Sequence, residues 1–192
     1  MSLILASNSQ IRREMLTQCG VAFEVRSPEF DEEAAKQPGL AGQNLARNLA
    51  EGKAGSIDGG PYGWVIGSDS VVTVDGVPYS KPRDREQAAQ HLRAFSGRTM
   101  LLSSAVALAR MGSVEWSHAE SARLQVRLLS DSFIDRYLDL EWPEVSYCVG
   151  VFRMEGRGVT LFDKVEGSHF TILGMPLIPL LGALRQRGLV PS

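Results

Sequence analysis

The sequence predicts a mixed α/β fold. Apolar runs of strand length, such as Leu3 to Ala6 and Trp64 to Val74, alternate with stretches whose apolar residues recur every three or four positions. Glycine, proline or a short capping residue marks most of the junctions. At 192 residues, 44% hydrophobic and 22% charged, the chain suffices for one large domain or two closely joined lobes. A formal net charge of −2 supplies no general basic field, which argues against nucleic-acid binding. No apolar run reaches the roughly 18 residues of a membrane span. Cys19 and Cys148 have no CxxC spacing, and no charged-then-apolar leader opens the chain. A soluble protein of the reduced cytoplasm is expected.

Leu3 to Ala6 is a buried strand. Ser9 caps a helix from Gln10 to Cys19, with Ile11, Met15 and Leu16 on one face and Gly20 past its end. Phe23 to Val25 forms a second strand, and the acidic PEFDEEAA a loop. Leu45, Leu49 and Lys53, spaced by four, predict a helix from Gly42 to Ala54. IDGGPYG is a loop, and WVIGSDSVVTV a strand interrupted at Gly67-Ser68-Asp69-Ser70. Asp75-Gly76 turns a hairpin toward Ser80-Lys81-Pro82. Asp84 caps a helix striped by Ala88, His91, Leu92 and Phe95. Two strands follow, Met100 to Ala109 and Trp116 to Leu129, the second alternating Ala122, Leu124, Val126 and Leu128. Ser130 caps a helix that Pro143 closes. The glycine-rich GVFRMEGRGVTLF is a strand and turn, and a last helix starts near Pro176 with Leu177, Leu180, Leu181 and Leu184.

The opening LILASNSQIRREML sends a strand into a helix N-terminus, where unpaired N–H groups and the helix dipole favour an anion. Ser7 and Ser9 add hydroxyl donors, and Arg12 and Arg13 add forked cationic ones. The plainer alternative is capping serines and solvated arginines. Asp69, in the middle of an apolar strand, is either a functional carboxylate or a turn aspartate bonding its own backbone. Lys53 is a snorkelling or a functional lysine, Lys81 a surface or a functional one, and the carboxylates around Glu32 solvated or ligating. Together Ser7, Ser9, Arg12, Lys53 and Lys81 supply donors for a triphosphate, and Asp69 and Glu32 supply hard oxygens for Mg²⁺. That inventory suits phosphoanhydride hydrolysis. No P-loop and no G-x-G-x-x-G is present. His91, His118 and His169 have no zinc spacing, and His91 reads as a packed core histidine.

LILASNSQIRREML resembles the LILAS-x-S-x-x-R-x-x-LL signature of the Maf family of nucleoside triphosphate pyrophosphatases. The likeness continues through EFDEE, LAEGKA, VIGSDSVVTVDGVPYSKP, the SGR at Ser96 to Arg98, EGRG, VEGS and LGMPLIPLL. The resemblance implies a single Maf-like domain over the whole chain. Its fold would be an elongated mixed β-sheet with flanking helices, in two lobes around a nucleotide-binding cleft as in inosine-triphosphatase-like proteins. A homodimer and Mg²⁺, or Mn²⁺, are further implications.

The implied reaction converts a nucleoside triphosphate to monophosphate and diphosphate, cleaning the nucleotide pool of modified forms. By motif, Asp69 matches the proton acceptor, while Ser7, Arg12, Glu32, Lys53 and Lys81 match phosphate, metal and catalytic positions. Gln10 replaces a frequent proline, Ile11 an arginine or tryptophan, GSD-S the usual GAD-T or GSD-Q, and Val149-Gly150 the common A-G. Ile11, Ser70 and Glu155 are the expected specificity positions, and Glu155 is nearer the subgroup acting on 7-methyl-GTP than the one acting on dTTP and UTP. The alternative is a non-catalytic nucleotide-binding regulator of septum formation, against which the retained Asp69, Lys53 and Lys81 speak.

Overall fold

A computed structural model describes residues 2–35, 39–61 and 63–191. In chain order its elements are β1 (Ser2–Ala6), α1 (Gln10–Gln18), β2 (Glu24–Arg26), α2 (Glu32–Ala35), α3 (Gly42–Gly55), β3 (Gly63–Val74) and β4 (Val77–Tyr79). Then come α4 (Arg85–Phe95), β5 (Thr99–Arg110), β6 (Ser113–Val126), α5 (Asp131–Glu141), β7 (Phe162–Glu166), α6 (His169–Leu173) and α7 (Leu177–Gln186). Two 3₁₀ turns, Glu144–Tyr147 and Arg157–Leu161, precede β7. Strands are hydrogen-bonded in the order β2-β1-β3-β5-β6-β7, with β4 on β3. β1 runs parallel to β2 and β3, whereas β4 is antiparallel to β3 and β7 to β6, so the sheet is mixed as expected. The loop expected over 57–63 includes Tyr62, outside the described residues.

The chain forms two compact units: Met1–Ser70 with Ser103–Glu120 and His169–Ser192, and Val71–Leu102 with Ser121–Ser168. In the first, Leu3 and Leu5, Trp64 and Ile66, and Val106 and Leu108 alternate onto one sheet face. There they pack against Met15 and Leu16 of α1 and Leu177, Leu180 and Leu184 of α7. Ile4, Ala6 and Val65 take the other face with Ile57. Coverage of both faces explains why β1 and β3 read as continuous apolar runs. In the second unit Asp84 caps α4 by accepting from the Gln87 N–H at 2.7 Å, and Ser130 caps α5 from the Phe133 N–H at 3.2 Å. Leu92, Phe95, Ile134 and Leu138 are buried there. Asp75 and Gly76, at φ 51° and 79°, turn the β3–β4 hairpin in the conformation its twist favours.

Three expectations are corrected, and one element is new. β3 is one uninterrupted strand of 12 residues, because each polar group in its middle has a partner. The acidic loop contains α2, whose first turn Asp31 caps by accepting from the N–H groups of Glu33 and Ala34 at 3.0 and 3.1 Å. Leu128 is 81% exposed: β6 ends at Val126, and a register shift at Gln125/Val126 breaks the period-two pattern. The five-residue α6 was not expected, being too short to show a helical period.

Gly67 fixes how closely α3 approaches the sheet. A Cβ there would overlap the Ala50 carbonyl oxygen, the Ala54 nitrogen and the Ala54 methyl. Gly67→Ala therefore forces two backbones apart, and urea unfolding is expected to show a loss of about 1–3 kcal/mol. A neutral result would mean that α3 has room to move.

Candidate active site

Because side chains alternate along a strand, Gly67 and Asp69 point to one face of β3 while Ser68 and Ser70 point to the other. The first pair faces α3. With no side chain on Gly67 the helix lies against the strand, and Lys53, in its last turn, reaches Asp69. The Lys53 Nζ donates to Asp69 Oδ1 at 2.6 Å and lies 2.8 Å from Glu32 Oε1. Only 8% of the Lys53 side chain and 12% of that of Asp69 are exposed, so the pair is largely shielded from solvent, while Glu32 is 46% exposed. Removing one member of such a pair strands the other.

Glu32 is brought in by its neighbours. The Phe30 ring fills the space that a side chain on Gly52 would occupy, and so holds the segment leading into α2 against α3. On the other side of Gly52, Glu51 accepts from the Ser117 hydroxyl at 2.6 Å, tying α3 to β6. Each residue of the E-G-K triplet in α3 thus has a separate contact. The structure brings Glu32, Lys53 and Asp69 together, and Asp69 lies inside β3 and not in a turn.

On the opposite face of β3 lies Arg12, 9% exposed. Its Nε donates to the Gly174 carbonyl at 2.9 Å, Nη1 to the Ser68 carbonyl at 2.9 Å and to Ser7 Oγ at 3.5 Å, and Nη2 to Ser70 Oγ at 3.1 Å. Gly174, at φ 110°, turns its carbonyl to accept also from the Ser68 and Ser70 hydroxyls. Ser70 Oγ is 2.8 Å from Ser104 Oγ, which donates to the Thr171 carbonyl. Burial lowers the Arg12 guanidinium below its usual range, opposed by the charges of Asp69 and Glu32. Arg12 is therefore no solvated arginine. It fastens α1, β3 and the α6–α7 connection together.

Around the start of α1, Ser9 holds the N-cap position but its side chain caps nothing, contrary to the expected capping bond. The Ser9 N–H is spent on Ser7 Oγ at 3.2 Å. Arg13 donates through Nη2 to the Asn8 carbonyl at 3.2 Å, and its buried Nε has no partner among the described residues. Ile11 is half-buried on α1. Lys81 and Glu155 belong to the second unit and are exposed. Glu155 occupies a turn before the second 3₁₀ segment, not a strand as expected: a turn closed by the Gly156 N–H to the Arg153 carbonyl at 3.1 Å.

The family model for Maf-like proteins matches residues 2–187. The chain belongs to the Maf family. Among Maf relatives, a 7-methyl-GTP pyrophosphatase of Rhizobium meliloti (strain 1021) is 44% identical, over 99% of this chain and 98% of that protein. A nucleoside triphosphate pyrophosphatase of Sphingopyxis alaskensis is also 44% identical, with both chains fully covered. The structure of the Staphylococcus aureus Ham1 protein shares the fold, with a TM-score of 0.52 over 98% of this chain at 16% identity.

Sequence reasoning about this Maf chain missed Gly52, Gly67, Ser68, Ser104 and Gly174, the residues that bring the named ones together. One signal was available. A glycine inside a helix costs about 1 kcal/mol relative to alanine, so Gly52 called for a packing reason. His91 is half-buried and packed edge-on against Tyr79, with ring centroids 5.1 Å apart, and burial lowers its basicity.

Two outcomes follow. Arg12→Lys keeps the charge, but its donors sit on one nitrogen and cannot span the four acceptors that Arg12 serves from three, and a loss of about 1–3 kcal/mol in urea unfolding is expected. An unchanged midpoint would return Arg12 to the surface. Burial raises the Cys148 thiol to about 11, with the charge of Glu155 adding to it, whereas Cys19 is exposed. At pH 8 a disulfide reagent should label the exposed Cys19 quickly and the half-buried Cys148 much more slowly. Equal rates would contradict the burial.

Proposed function

We propose that this Maf-family chain hydrolyses a nucleoside triphosphate to the monophosphate and diphosphate, with Asp69 as the proton acceptor. The observation that carries the reading is the enclosed Lys53–Asp69 pair with Glu32 on the same ammonium. Lys53 occupies Oδ1, which fixes the carboxylate and leaves Oδ2 without a hydrogen bond among the described residues. Oδ2 then takes the proton of a water whose oxygen bonds to the α-phosphorus, as the α–β anhydride bond breaks and diphosphate leaves. The names of the relatives, 7-methyl-GTP pyrophosphatase and nucleoside triphosphate pyrophosphatase, support the same reaction.

Two carboxylates on one ammonium fit Mg²⁺, or Mn²⁺, as cofactor. Mg²⁺ is commonly held by one or two carboxylates together with substrate phosphates, and the described residues contain no group of three or more acidic, histidine or cysteine ligands for a cage. Asp69 and Glu32 would hold the ion, and when bound it would neutralise charge gathering on the phosphate oxygens. For the phosphates themselves, the uncapped start of α1, the Ser9 hydroxyl and the unpartnered Nε of Arg13 are the donors at hand, with Ser7 shaping the turn. Arg12 contributes its charge while its nitrogens serve the protein. Lys81 adds charge stabilisation.

For the base, Glu155 accepts hydrogen bonds and cannot donate them, which suits the N1–H and 2-amino edge of guanine and a ring made cationic by N7 methylation. Ile11 and Ser70 are the companion specificity positions. A purine-type or 7-methylated triphosphate is the proposed substrate. The protein works as a cytoplasmic homodimer with no nucleic-acid partner. No helix among the described residues is long and apolar enough to cross a membrane.

A panel of triphosphates with Mg²⁺ tests the reading, and monophosphate and diphosphate are the expected products. Asp69→Asn should lower kcat about 10²-fold or more while nucleotide binding persists. Lys81→Ala should lower kcat as well. Nucleotide binding without turnover in the wild type would favour a regulator instead.

A further inference from the structure

The second unit contains a carboxylate that the proposed reaction does not use. Glu141, at the end of α5, is 1% exposed, yet it faces two arginines from the following loop. Arg153 donates to its Oε2 through Nε at 3.2 Å and Nη2 at 2.9 Å, and Arg157 donates to Oε1 at 3.4 Å. A carboxylate is sealed in this way at a cost that only paired donors offset, so the arrangement calls for a reason.

The reason is what lies between the two arginines. Arg153-Met154-Glu155-Gly156 is the turn closed by the Gly156 N–H to the Arg153 carbonyl, and Glu155 stands exposed at its third position. Arg153 begins the turn and Arg157 follows it, so Glu141 grips both sides of the segment that presents Glu155. A Cβ on Gly156 would lie 3.6 Å from Glu141 Oε2, in ordinary contact, so the turn sits directly over the ion pair. On Gly158 a Cβ would overlap the Arg153 backbone, which packs the loop on itself.

A second device fixes the same loop. Val151, fully buried, is held at φ 56°, a conformation a β-branched residue rarely adopts. The buried Tyr137 hydroxyl, from the same helix as Glu141, donates to the Val151 carbonyl at 3.0 Å. Strain of this kind persists where surrounding contacts over-determine the backbone, and it gathers at ligand-binding segments.

We infer that Glu141 is a positioning residue for substrate specificity: through Arg153 and Arg157 it fixes the turn that presents Glu155 to the base of the nucleotide. The inference rests on the proposal that Glu155 reads the base. Glu141 touches no substrate, and its effect is on discrimination between bases and not on bond breaking.

The test compares kcat/KM for 7-methyl-GTP, GTP, UTP and dTTP in the wild type, Glu141→Gln, Arg153→Lys, Glu155→Gln and the Glu141→Gln/Glu155→Gln double variant. Glu141→Gln should lower kcat/KM for the purine triphosphates about tenfold through KM, leaving kcat and the pyrimidine values within about twofold. Arg153→Lys, altered at a partly exposed side chain, should shift the ranking in the same direction by less, and carries the test if Glu141→Gln does not fold. In the Glu155→Gln background, Glu141→Gln should add nothing to the loss of ranking. Equal losses for all four nucleotides, a loss confined to kcat, or multiplying effects in the double variant would overturn the inference. If Glu155→Gln leaves the ranking intact while Glu141→Gln alters it, the grip on the loop stands and Glu155 is not the reader. If Glu155→Gln alters it and neither Glu141→Gln nor Arg153→Lys does, the grip is wrong and the base reader stands.

Discussion

The contact on which the first unit depends is that of α3 with β3 at Gly67. It brings two backbones together where any side chain would hold them apart, and Lys53 follows in the same helix turn region to meet Asp69 two residues along the strand. A carboxylate placed in the middle of a buried strand is costly on its own, and a buried ammonium is equally so. Pairing removes both costs together. The lysine then has capacity for a second acceptor, and Glu32 takes it because Phe30 is seated over Gly52. Two glycines, each a small local cost, thus assemble a lysine and two carboxylates from three separate segments.

The other face of the same strand carries a different polar cluster. Arg12 is bound into carbonyls and hydroxyls from β3, the β1–α1 turn and the connection before α7, and its hydrogen bonds fix the register of these segments at the place where the two faces' charges sense one another. Two cations, Lys53 and Arg12, therefore balance two carboxylates, Asp69 and Glu32, before any ligand arrives. The carboxylates and cations of this first unit are thus already balanced against one another, and the metal and polyphosphate proposed above would meet a preorganised set of charges. The arginine that resembles a phosphate ligand in sequence serves first as a structural tie.

Much of this was legible in the sequence, and the remainder failed for definite reasons. The α/β class, the caps at Asp84 and Ser130, the Asp75-Gly76 turn and the final helix follow from local chemistry that operates within a few residues. Glu32, Lys53 and Asp69 could be named because their chemistry complements one another, but their meeting depends on Gly67 and Gly52, whose packing involves residues distant in sequence. β3 was expected to break at Gly-Ser-Asp-Ser because those residues usually mark turns. It continues because α3, β5 and Arg12 satisfy each polar group from outside the strand. The loop that carries Glu155 looked like a strand from its apolar residues, while the buried pairing that shapes it, Glu141 with Arg153 and Arg157, has no local signature.

The most direct test of this picture is a double-mutant cycle on turnover with Lys53→Met and Asp69→Asn, measured under saturating triphosphate and Mg²⁺ with folding checked by circular dichroism. If the pair acts as one catalytic unit, each single change should cost about as much in kcat as the two together, as strongly coupled catalytic residues do. Losses that multiply in the double variant would contradict the claim that Lys53 acts through Asp69.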